Sequence, residues 1–220
     1  ANTLVYMRGK GIIIREPSVV AVNTRTDKCR YVGKDAKDVI GRTPGSIVAV
    51  RPLEDGVIAD FDIATTMLQE FIKKALKGTI FSKARVIICI PSGITPVERR
   101  AVKDTAELAG AKHVFIVEKP MAAAVGIGLD VEAPEGNMVV DIGGGSTEIA
   151  VISLGGIVKN SSIRVAGDDF TADIQEYMGR QHNLKVSERM AERIKIHVGS
   201  ALTDLGEDEA PEEYIVHGPN

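Results

Sequence analysis

The sequence predicts an α/β protein built in two lobes. Short apolar strand-like runs alternate with helix-length stretches through the first half, which is the pattern of a sheet covered by helices. A similar set restarts near Met138, suggesting a duplicated unit, although no crisp repeat is visible. At the restart stands Met138-Val139-Val140-Asp141-Ile142-Gly143-Gly144-Gly145-Ser146-Thr147-Glu148-Ile149-Ala150-Val151-Ile152, an apolar run, an aspartate, a glycine turn and a second apolar run.

Leu4–Met7 and Gly11–Arg15 read as strands of a hairpin joined at Arg8-Gly9-Lys10-Gly11, with Ser18–Val22 as a third strand after Pro17. Asn23–Arg30 is polar and reads as turn. Asp35–Ile40 is a short helix ended by Gly41, and Arg51–Asp60 reads as a returning loop. From Asp62 to Lys77, Ala64, Met67, Leu68, Phe71, Ile72, Ala75 and Leu76 fall on one helical stripe, which predicts a helix buried along one face. Val86–Ile90 is apolar and β-branched throughout, so a fully buried strand is expected, with Cys89 as a small core residue.

Thr95-Pro96-Val97-Glu98 is a helix start. Thr95 caps, Pro96 fits the first turn and Glu98 closes a capping box, with the helix running to Leu108. Val114–Val117 is another short strand, and Met121–Ile127 an Ala-rich helix. Ile149–Ser153 and Ile157–Arg164 suggest a second meander, with helices at Asp169–Met178 and Ser187–Val198 and a strand-like Tyr214–Val216.

Hydrophobic residues make up 44% and charged residues 26% of the 220, a globular balance. The net charge of -3 gives no reason to expect nucleic acid as a partner. Cys29 and Cys89 follow no metal-ligand spacing and form no disulfide framework, which suits a reducing compartment. The histidines, His113, His182, His197 and His217, are dispersed and read as surface or structural. No apolar run is long enough for a transmembrane helix, and no signal peptide is evident. Both ends read as cut from a longer chain.

Three glycines exceed what a hairpin needs. They free the backbone for positive φ and for close approach to a ligand, and successive amides in such a turn suit an anion. Asp141 is placed to hold a hydrated Mg²⁺. An ordinary Gly-rich hairpin accounts for the same local pattern.

These residues resemble the MreB/Mbl family of bacterial actins, within the superfamily of actin, heat-shock chaperones and sugar kinases. The resemblance covers essentially the whole chain. It rests on Val139–Glu148, on Pro120-Met121-Ala122-Ala123-Ala124, on Arg51-Pro52 with Asp55–Asp60, and on Ile163–Asp168. The first is shared in outline by the superfamily; the others look like MreB/Mbl in particular. The resemblance implies an actin-like ATPase fold with ribonuclease H-like duplicated lobes, incomplete at both ends. Residues 1–133 would form the first lobe (subdomain IA, with a small IB inserted at about 21–53). Residues 134–220 would form part of the second lobe, IIA at about 134–169 and IIB from about 170.

It further implies ATP with Mg²⁺ in a cleft between lobes, homopolymer filaments, and a place at the inner face of the cytoplasmic membrane. There such proteins work with the cell-wall elongation machinery to set rod shape. Gly143, Gly144, Gly145 and Ser146 would wrap the phosphates, with Asp141 at the metal. Ala1 and Asn2 would trail the family's first phosphate loop, Asp-x-Gly-Thr, which the sequence does not contain. Gly167 and Asp168 would lie near the cleft, and Glu192 and Lys195 would reach the adenosine. A solvated salt bridge explains the spacing of that pair equally well. Ile80 and Phe81, flanked by Lys77, Lys83 and Arg85, look like the loop that inserts into the bilayer; the alternative is that they fold onto the core.

Two positions depart from the family. Before Pro120 the family carries a Glu that helps orient the attacking water; here stand Glu118 and then Lys119. A charged lysine cannot accept a proton. Ser146 replaces the usual Thr and keeps the hydroxyl. Weak ATPase activity at most is expected, with binding retained. A chaperone would need a further peptide-binding domain, and its counterpart of Asn23–Leu53 is usually larger. A small-molecule kinase would need an acceptor site, and the Ile80-Phe81 loop argues against a soluble one.

Overall fold

The computed structural model describes residues 2–26, 28–39, 46–54, 57–76, 84–202 and 213–216. The chain divides into two compact units, 1–164 and 165–220.

The first unit opens with an antiparallel hairpin of β1 (Asn2–Met7) and β2 (Gly11–Pro17). β3 (Val20–Asn23) is the middle strand of a three-stranded sheet, between β4 (Lys28–Val32) and β5 (Ile47–Val50). β4 falls where a polar turn was expected. Its Lys28, Arg30 and Tyr31 face water on an outer strand while Val32 is buried, so the strand lacks an apolar run. Helix α1 (Lys34–Val39) buries Ala36 against Val19 and Ala21. The returning loop contains a small hairpin, β6 (Leu53–Glu54) and β7 (Val57–Ile58).

Helix α2 (Phe61–Ala75) is the expected amphipathic helix. Asp60 caps it by accepting from the Ile63 N–H at 2.9 Å. Its Met67 and Phe71 pack with Ile14, Val20, Val22 and Val32 into the main core.

Glu16 binds three elements together. Its carboxylate accepts from Lys74 Nζ of α2 (3.0 Å to each oxygen) and from the Lys34 N–H at the start of α1 (3.1 Å). Gly33, at φ +68°, lies beneath it, and a Cβ there would run into Glu16 Oε2. Gly33→Ala therefore meets both backbone strain and an anchored carboxylate. An expected loss of about 1–3 kcal/mol would be read as a lower denaturation midpoint.

β8 (Arg85–Ile90) and β9 (His113–Glu118) pair in parallel across helix α3 (Pro96–Leu108). The capping box is present. The Glu98 N–H donates to Thr95 Oγ1, and the Thr95 N–H donates to Glu98 Oε2. These Thr95 contacts favour the ionised carboxylate and lower the Glu98 pKa. β8 corrects an expectation: it is not buried throughout but alternates, with Ile87 69% exposed and Cys89 exposed rather than in the core. Ile87 pairs with Phe115, also exposed, so one face of this two-stranded sheet is uncovered.

Helix α4 (Lys119–Gly126) follows β9 directly. Then β10 (Asn137–Ile142), β11 (Thr147–Ser153) and β12 (Gly156–Ile163) form an antiparallel meander. Ala124 of α4 packs with Val139, Ala150 and Ile152.

The second unit holds α5 (Gly167–His182) and α6 (Glu188–Val198). At the start of α5, Asp169 accepts from the Ala166 N–H (2.9 Å); Ser187 caps α6 by accepting from the Met190 N–H. Tyr214–Val216, expected as a strand, is irregular, and the Tyr214 ring lies 5.1 Å from that of His197.

Candidate functional site

The glycine turn joins β10 to β11 at Gly143–Ser146, immediately after the Ile142–Thr147 pair. The Gly143 N–H donates to the Ser146 carbonyl at 2.9 Å and closes the turn. Gly143 does not take a positive φ, contrary to expectation. Here the reason for glycine is room: a Cβ on Gly143 would stand 3.0 Å from the Ser146 carbonyl oxygen. Ser146 itself is buried.

Asp141 lies directly opposite Glu148 in the ladder, so the two side chains share a face of the sheet. Glu148 is only 1% exposed, and a carboxyl group so buried requires partners. Among the described residues it has two: the Ser92 N–H donates to Oε2 (3.1 Å) and the Ser162 hydroxyl to Oε1 (2.7 Å). Ser92 also donates from its hydroxyl to Glu118 Oε2 (3.0 Å), and Arg99 stands 3.7 Å from Glu118 Oε1.

Glu118 occupies the N-cap position of α4 but does not cap it; its carboxylate is turned to Ser92 and Arg99. Lys119 is the first residue of the helix. Partial desolvation raises the Cys89 pKa; the Lys119 ammonium lowers it and the Asp141 carboxylate raises it. Cys89 thus lies within electrostatic reach of both. At pH 8, alkylation of Cys89 by iodoacetamide is expected to slow in a Lys119→Glu variant, because a lowering influence is replaced by a raising one. Mass spectrometry of the labelled peptide measures it.

In the second unit, Gly167, Glu192 and Lys195 do come together. Lys195 Nζ donates to the Gly167 carbonyl (2.8 Å) and the Thr171 hydroxyl (3.0 Å) and pairs with Glu192 (2.6 Å), while Thr171 approaches Glu192 at 2.7 Å. Asp168 is exposed in the first turn of α5. Asn2 opens β1 opposite Pro17. Ala1, Ile80 and Phe81 lie outside the described residues.

Sequence reasoning missed Ser92, Arg99, Glu148, Ser162 and Thr171 as members of these clusters. A signal existed for one: Glu148 is an acid inside an otherwise apolar strand.

A strand–glycine turn–strand after an aspartate, in a meander backed by a helix, belongs here to an actin-like α/β fold. Solved structures show it. MreB5 of Spiroplasma citri bound to ADP matches with a TM-score of 0.85 at 39% identity, over 94% of this chain and 62% of that one. A filament of MamK shares the fold at 19% identity and a TM-score of 0.71, over 89% of this chain and 61% of its own.

The chain belongs to the MreB/Mbl protein family, whose model matches residues 1–219. It is 51% identical to the cell shape-determining protein Mbl of Bacillus subtilis over 95% of this chain and 63% of that protein. Against the cell shape-determining protein MreB of Escherichia coli it is also 51% identical, over 91% of this chain and 59% of the relative. It therefore spans about three fifths of the length of these curated relatives.

Proposed function

We propose that this chain is the ATP-binding part of a bacterial actin-like cytoskeletal protein. It would polymerise into filaments on the cytoplasmic membrane and set rod shape by organising cell-wall synthesis. The observation that carries the reading is the closed turn at Gly143–Ser146, in a chain whose family includes MreB5 bound to ADP and to AMPPNP. The Gly143 amide is spent on closing the turn, so the amides of Gly144, Gly145 and Ser146 are those offered to phosphate oxygens.

Mg²⁺ fits the donors present. Among the described residues no group of three or more His, Cys, Asp or Glu could cage a metal. With Glu148 beside it engaged by Ser92 and Ser162, the single Asp141 carboxylate at a phosphate turn suits an ion that keeps most of its waters and takes its remaining ligands from phosphates. Asp141 would hold that hydrated ion, which neutralises phosphate charge when bound.

Hydrolysis by this chain would be slow. Lys119 offers no acceptor, and the Glu118 carboxylate is engaged by Ser92 and Arg99. The output would be assembly, with nucleotide as the switch. Membrane contact is assigned to Ile80 and Phe81. Among the described residues no helix is long and apolar enough to cross a membrane, and surface insertion needs none. Family membership leaves the chaperone and kinase alternatives without an observation in their favour.

The test is electron microscopy of the full-length protein on anionic liposomes, with and without ATP and Mg²⁺. Nucleotide-dependent filaments lying on the bilayer are expected, and membrane binding is expected to weaken in an Ile80→Ser/Phe81→Ser variant. Dispersed particles at concentrations where ATP is bound would overturn the filament reading.

A further inference from the structure

The chain of contacts Ser162–Glu148–Ser92–Glu118–Arg99 serves no purpose that the phosphate turn alone explains. It joins five segments: β12, β11, the loop after β8, the junction of β9 with α4, and α3. Its centre is a buried carboxylate, costly to desolvate and retained with both oxygens hydrogen-bonded. A well-packed apolar residue would stabilise β11 at least as well, so the carboxylate's value lies in what it orients.

What it orients is Ser92. With the Ser92 N–H fixed on Glu148, the Ser92 hydroxyl faces β9 and engages Glu118. Glu148 is the ladder partner of Asp141, one pair removed from the glycine turn. Only two hydrogen bonds, Glu118 to Ser92 and Ser92 to Glu148, separate Glu118 from β11. Glu118 is thus the acid adjacent in sequence to Lys119, with its carboxylate held by Ser92 and Arg99.

We propose that Glu148 is a positioning residue, acting through Ser92 to latch the Glu118 carboxylate, so that Glu118 is not available to a water beside bound ATP. The inference rests on the proposed ATP site and concerns its hydrolysis rate, not its existence.

The experiment measures ATP affinity and single-turnover phosphate release separately, in the full-length protein. Ser92→Ala keeps the backbone amide on Glu148 and removes only the hydroxyl that engages Glu118. Release is expected to rise about fivefold or more with ATP affinity within twofold, a change in rate against affinity that a merely structural role would not produce. Adding Glu118→Gln to Ser92→Ala should return release to the parental rate. Glu148→Gln can accept from the Ser92 N–H through its oxygen and donate to Ser162 through its amide, so it should behave as the parent, whereas Glu148→Ala should mimic Ser92→Ala. The Ser92→Ala and Glu148→Gln arms decide the matter even if Glu148→Ala fails to fold.

Unchanged or reduced release in Ser92→Ala overturns the latch. So does fast release in Glu148→Gln, which would show that charge rather than orientation matters. Parent protein that binds no ATP overturns the functional reading and the latch together; parent protein that binds ATP while Ser92→Ala leaves release unmoved overturns the latch alone.

Discussion

Lys119→Glu is expected to raise phosphate release from bound ATP by about 100-fold, the lower end of what a positioned acid–base group contributes. The position is the first residue of α4, directly after an N-cap whose own side chain is turned aside. A carboxylate there would be a new acceptor that Ser92 does not already hold. The substitution also suits the helix: a cation at a helix N-terminus opposes the macrodipole and an anion favours it, by about 0.3–1 kcal/mol. Loss of fold is therefore not expected to obscure the result. Single-turnover phosphate release from full-length protein is the measurement, and an unchanged rate would set aside the idea that Lys119 suppresses hydrolysis.

The second large effect concerns stability. Phe71→Ala should cost about 3–5 kcal/mol. Phe71 is 1% exposed and joins α2 to the strands through Ile14, Val20, Val22 and Val32. Its removal leaves a cavity between helix and sheet that this cluster cannot close without moving β2, β3 and β4 together. Thermal unfolding should show Tm lowered by roughly 6–20 °C. A shift below about 2 °C would mean that the cluster is not the core of this unit.

What could be read from the sequence was local. The α2 stripe, the Thr95–Glu98 box and the β10–turn–β11 motif each depend on residues within a few positions, and each formed as expected. β4 was not legible, because an outer strand with charged residues toward water reads like a turn. The exposure of Ile87 and Cys89 was not legible either: an apolar run tells that a strand forms, not how many of its faces are covered. The candidate site divides in the same way. The glycine turn announced itself, but Ser92 and Glu148 are 56 positions apart, and no spacing rule joins them. Thr171, 21 positions before Glu192, is a comparable case in the second unit.

The parallel pairing of β8 with β9 bears on how the chain reaches its structure. The hairpin β1–β2 and the meander β10–β12 join neighbours and can form as soon as their turns do. β8 and β9 have no such shortcut; all of α3 must lie between them before Ile87 can meet Phe115. Loop-closure entropy opposes that pairing until the helix shortens the gap. The capping box that starts α3 thus acts on kinetics as well as stability. Weakening Thr95 should appear in the folding limb of a chevron plot more than in the unfolding limb.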